Sequence, residues 1–150
     1  MREILFRGID EKTKGFVEGN LSVSYDGKEC VIESYWQSGK CITMIPSFVD
    51  KDTIGQYTGM KDKNGVKIFE GDIVRRHEEP FGLTDVGVVV YNEAIGSFRL
   101  HVEKNGTMTR YDFVASDTYN DGYCHVECKA TFEVIGNKFD NPELLEGGKQ

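Results

Sequence analysis

The sequence predicts a mainly β protein: a small N-terminal β region packed on an SH3-like or related small β-barrel, closed by a short C-terminal helical turn. Three observations carry this. Apolar and polar residues alternate with period two over short runs. Asp-Gly and Asn-Gly dipeptides punctuate those runs, and such pairs supply the positive φ that tight hairpin turns need. The 3.6-residue apolar repeat of an amphipathic helix is almost missing.

Taken in order, residues 21–25 and 30–32 read as strands joined through Asp26-Gly27. Residues 46–50, opening with Pro46 and ending with Asp50, interrupt the apolar pattern and suggest a single helical turn. Asn64-Gly65 turns the chain ahead of Val66-Lys67-Ile68-Phe69, and Gly71-Asp72 forms a second tight turn before Ile73 and Val74. A long polar loop is expected from Arg75 to Asp85, followed by a central strand at Gly87-Val88-Val89-Val90-Tyr91. Asn105-Gly106 joins strands at 98–102 and 108–113, and Asp121-Gly122 precedes a long strand over 123–134. Asn141-Pro142-Glu143 combines an N-cap residue, a proline at the first helical position and an early acid, which predicts one helical turn. Short strands at regular spacing favour a barrel or sandwich.

The chain is read as one domain, 1–150, with subregions 1–52 and 53–150. Its 150 residues are enough to bury a core without disulfides or metal. No apolar run reaches the length of a membrane span. The N-terminus lacks an apolar stretch and a small-residue cleavage site, so the expected location is the cytoplasm of a bacterial cell. Net charge is −7, which does not favour phosphate-dominated nucleic-acid binding. Lys61, Lys63, Lys67, Arg75 and Arg76 form the one basic grouping, with Asp62, Glu70 and Asp72 interspersed.

Four cysteines, Cys30, Cys41, Cys124 and Cys128, and the adjacent His125 raise the question of zinc. Cys30 and Cys41 are too far apart for a knuckle. Cys124 and Cys128 lie on one face of an alternating strand, about 13 Å apart at about 3.3 Å per residue, too distant to share an ion bonded at about 2.3 Å. Thiols filling apolar space are the expectation, so no metal or cofactor is assigned.

The remaining candidates resolve into structural roles. His77, His101 and His125 show no ligand spacing, and Glu78-Glu79 falls in the expected loop. Glu70 and Asp72 have the spacing to approach one hard cation on a strand, but Gly71 between them favours a turn with both acids solvated. Asp72 is expected to accept backbone hydrogen bonds in that turn, with Tyr57 and Phe69 as core anchors. Tyr35 and Trp36, beside Gly39, are expected to fold onto the core. No catalytic residue emerges, and no binding residue is assigned.

Several segments carry a family likeness. They are Arg2-Glu3-Ile4-Leu5-Phe6-Arg7-Gly8, Phe16-Val17-Glu18-Gly19, and the dense block Thr53-Ile54-Gly55-Gln56-Tyr57-Thr58-Gly59-Met60-Lys61-Asp62-Lys63-Asn64-Gly65. Ile68-Phe69-Glu70-Gly71-Asp72-Ile73-Val74 follows, then Gly87-Val88-Val89-Val90-Tyr91 and Ser97-Phe98, and finally the stretch from Val134 to Leu145. With these the chain resembles the YopX family of phages and prophages of Gram-positive bacteria, departing at Phe16, where tryptophan is more usual. The resemblance implies a mainly β fold and a phage setting. It carries over no catalytic residue, because the family has no established activity. The functional expectation is a non-enzymatic protein-interaction module whose partner is a phage or host protein or a second copy of the chain. The alternative is a small-barrel nucleic-acid binder.

Overall fold

Alternating apolar residues and glycine-bearing turns do produce a mainly β architecture. The computed structural model describes residues 3–113, 116–120 and 125–146, the side chains of 116–120 and 125–128 excepted. The chain divides into two compact units, Met1–Gly59 and Met60–Gln150. No helix among the described residues is long and apolar enough to cross a membrane.

The first unit contains β1 (Phe6–Ile9), β2 (Phe16–Val23), β3 (Cys30–Ser38), β4 (Cys41–Phe48), a 3-10 turn at Lys51–Thr53, and β5 (Gly55–Lys61), which runs on past the unit boundary. The pairings β1–β2, β2–β3, β3–β4 and β1–β5 are all antiparallel. Cys30, Ile32 and Val49 form its buried core, with Phe6, Val17, Leu21 and Ile54 packed against them. Glycine is required where strands cross closely, since a Cβ on Gly19 would run into the Glu33 carbonyl. The expected helical turn at 46–50 is corrected: Pro46 to Phe48 belong to β4, and the single turn begins at Lys51. Proline is tolerated because β4 ends its sheet. The Asp50 side chain accepts the Asp52 N–H at 3.0 Å and so starts the turn after Asp50. The Asp26-Gly27 connection is also wider than a two-residue hairpin. Ser24 N–H bonds the Glu29 carbonyl at 2.9 Å, and only Gly27 has positive φ.

The second unit contains β6 (Lys67–Phe69), β7 (Asp72–Glu79), β8 (Leu83–Asn92), β9 (Ser97–Lys104), β10 (Thr107–Asp112), β11 (Ser116–Asn120), β12 (His125–Asn137) and the one-turn helix α1 (Glu143–Glu146). Its main sheet has the order β10-β9-β8-β7-β12-β11, with β10 and β11 at its two ends. The expected SH3-like barrel is therefore replaced by an open sheet. The long polar loop from Arg75 to Asp85 is corrected too, because β7 and β8 form a long hairpin pairing Glu78 with Leu83. Its outer end covers no core, with Phe81 and Leu83 exposed among polar residues, and this hides the alternation. Cross-strand bonds such as His77 Nδ1 to Thr84 Oγ1, 3.1 Å, satisfy it instead.

The expected central strand lies within β8, between β7 and β9. Asn105-Gly106 makes a tight hairpin with positive φ at both residues, as expected. Ile68, Val74, Val89, Leu100, Val102 and Phe132 form the buried core on one face of the sheet. Asp62 ties this unit together: Oδ1 accepts Asn64 N–H at 2.8 Å and Val66 N–H at 2.9 Å, and Oδ2 accepts Val134 N–H at 3.1 Å. Asp72 accepts Phe69 N–H at 2.7 Å, as expected, but at 1% exposure it is buried, which corrects its reading as a solvated acid, because its carboxylate is folded under its own turn; Tyr57 and Phe69 are buried.

Candidate functional site

The β3–β4 hairpin departs furthest from an ordinary folded surface. β2 pairs with β3 only from Cys30 to Glu33, whereas β3 pairs with β4 all the way to Ser38–Cys41. Beyond Glu33 the hairpin is a two-stranded ribbon, turned by Gly39-Lys40 with positive φ at Gly39, the conformation a type II′ turn demands. Alternation places Tyr35, Ile42 and Met44 on one face and Trp36 and Ile45 on the other. Exposure is 57% for Tyr35, 59% for Trp36 and 65% for Ile42, and Met44 and Ile45 are also exposed. Lys40 is the one charged residue between Ser34 and Phe48. A contiguous apolar ribbon of this kind is unlike scattered exposed hydrophobics and marks a contact surface. A two-stranded hairpin is also marginal in water without something to pack on. The expectation that Tyr35 and Trp36 fold onto the core is thus corrected. They sit past the point where β2 leaves β3, so no core lies beneath them.

A second feature is a cavity of about 460 Å³ on the second unit's sheet, opposite its buried core, lined by Arg75, Val86, Val88, His101, Met108 and Leu144 among others. Burial, with Arg110 and Arg99 nearby, lowers the pKa of His101 and favours its neutral form. His101 Nε2 is buried without a hydrogen-bond partner. On the core side, Asp85 is 5% exposed and bonds Lys104, while Arg76 lies over the Tyr111 ring at 4.3 Å and pairs with Glu78. The cluster pairs its charges, although Arg76 Nη1 is buried without a hydrogen-bond partner, 3.9 Å from Asp85 Oδ2.

The residues singled out in the sequence are dispersed. Cys30 is buried among apolar residues as expected. Cys41 is exposed on the ribbon, which corrects its reading as a core thiol, because β4 at this point covers nothing. Cys124 lies outside the described residues, as do the side chains of His125 and Cys128. No group of three His, Cys, Asp or Glu placed to hold a metal occurs among the described residues. Glu70 Oε1 approaches Tyr91 N–H at 3.4 Å, while buried Asp72 serves its own turn. The five cations do not form one basic face. Lys63 and Arg75 share Glu133 at 3.1 and 3.2 Å, and Arg76, adjacent on the strand, points to the opposite face. Sequence reading missed the ribbon, although Gly39-Lys40 between two apolar runs was its signal. His101 gave no signal, since its burial depends on tertiary packing.

These features define an open-sheet antiparallel β protein in two compact units with an exposed apolar arm. The family model described as YopX protein matches residues 5–146, and the chain belongs to the YopX family. The crystal structure of protein EF1440 from Enterococcus faecalis is similar in fold, with a TM-score of 0.50 at 24% identity over 97% of this chain and 99% of that one. None of the curated proteins compared with the chain matches it.

Proposed function

We propose that the chain is a non-enzymatic protein-interaction module of phage or prophage origin, and that the β3–β4 ribbon is its contact surface. One observation carries the reading: an arm with Tyr35, Trp36, Ile42, Met44 and Ile45 exposed along it and a single charge at its tip. Burying such side chains contributes about 1.5–3 kcal/mol each, so a few of them would support a specific contact. Aromatic and methionine side chains are also the types enriched at interface centres. The phage setting rests on the family resemblance.

A photo-crosslinking residue placed at Trp36 or Ile42, in cells producing the protein, tests this. Tyr25, fully exposed on the β2–β3 connection, is the control position. Protein adducts from the ribbon and none from position 25 are expected. Nucleic-acid adducts, or no adduct from the ribbon, would contradict the reading.

A further inference from the structure

The backbone of β4 narrows what the ribbon takes. In an antiparallel pair, alternate residues turn both their N–H and C=O toward one neighbour. Val49 N–H bonds the Cys30 carbonyl at 3.0 Å, so odd-numbered residues of this stretch face β3. The Phe48 carbonyl accepts Glu11 N–H at 2.9 Å on the other side, so even-numbered residues face outward. The outward set of β4 is therefore Ile42, Met44, Pro46 and Phe48. Phe48 has its carbonyl occupied, and Pro46 has no N–H to offer. Ile42 and Met44 remain as two complete donor–acceptor pairs on an edge strand, a template for one more strand.

From this we infer that the ribbon takes a second copy of the chain, β4 pairing antiparallel with β4 of the partner copy about a two-fold axis at Thr43. The inference rests on the ribbon being a protein contact surface. The register follows from the residues. With Thr43 opposite Thr43, Ile42 meets Met44 and Met44 meets Ile42 in hydrogen-bonded pairs that use all the outward donors and acceptors of both. Cys41 meets Ile45, so apolar faces apolar in the rows on either side of the central Thr43 pair. Shifting the axis one residue to Met44 sets Ile42 against Pro46 and strands the Ile42 carbonyl. Charge agrees with the first register. Lys40 falls beside Pro46 of the other copy, whose cross-strand neighbour is Glu33, so the arm's one cation approaches a carboxylate at the far root of the ribbon. A two-fold contact of one strand with itself is closed and self-limiting, and it turns two marginal ribbons into one four-stranded sheet.

Light scattering coupled to size exclusion is the first test. The native chain is expected at twice the mass of one chain, and I42D/M44D at the mass of one. The second test fixes the register. Directly opposed residues outside the hydrogen-bonded rows have Cα atoms about 4.5 Å apart, within disulfide reach. In a Cys41→Ser background, Thr43→Cys is expected to oxidise to a covalent dimer and Met44→Cys is not. Positions 43 and 44 are exposed, so neither change touches the core. A native chain that stays monomeric at the highest usable concentration would overturn the inference, as would crosslinking through Met44→Cys in place of Thr43→Cys. The two readings separate cleanly. A monomer whose ribbon photo-crosslinks to another protein removes self-pairing alone, and a ribbon yielding no protein adduct removes both.

Discussion

Carboxylates hold turns in both units by accepting backbone hydrogen bonds. Asp10 takes the N–H groups of Thr13 at 2.6 Å and Lys12 at 3.0 Å, and the Thr13 donation keeps its carboxyl below the usual range. Asp62 does more, because its three donors come from its own turn and from β12. Burial pushes its pKa up, but the donations from Val66, Val134 and Asn64 outweigh this, and the net shift is downward. Removing the acceptor leaves three part-buried N–H groups without it, so Asp62→Ala should cost about 1–3 kcal/mol in urea unfolding. The sign with pH follows from the lowered value. The native contribution is full above the unfolded pKa near 3.8 and is lost as pH falls through the lower folded pKa. The gap between native and variant should therefore close in acid. A gap that widens below pH 4 would contradict the assignment.

At the scale of elements, the two halves of the β3–β4 hairpin make opposite contributions. Ile32 at its root is 0% exposed and central to the first core, so Ile32→Ala should cost about 2–5 kcal/mol. Trp36 and Met44, beyond the reach of β2, bury little in the single chain. The double change W36S/M44T should shift unfolding by about 0.5 kcal/mol or less, measured at the lowest usable concentration so that association does not contribute. Comparable losses at both sites would show that the ribbon packs on its own unit.

The same hairpin shows what was legible in the sequence. The strand at Cys30 and Ile32 was readable because alternation there reports a one-sided core. β4 was not, because Pro46 mimics a breaker and its neighbours face no core. The tight turn at Asn105-Gly106 was readable from its residue types alone. The β7–β8 hairpin was not, because residues such as His77 and Thr84 satisfy one another across strands and show no periodicity. The open order of the second sheet depends on which distant strands pair, and short-range pattern does not encode that.

At the scale of the molecule, the net charge is −7 and Lys63, Arg75 and Arg76 pair with acids, while one arm is almost uncharged. General repulsion between copies and local apolar attraction would restrict association to that arm. β4 of that arm is therefore where the chain would pair with β4 of a second copy. Amide hydrogen exchange across a dilution series tests this most directly, because Thr43 and Ile45 face β3 and serve as internal controls. The N–H groups of Ile42 and Met44 should be protected at high concentration and lose that protection on dilution, while those of Thr43 and Ile45 change far less. Ile42 and Met44 amides that exchange rapidly at every concentration would contradict it.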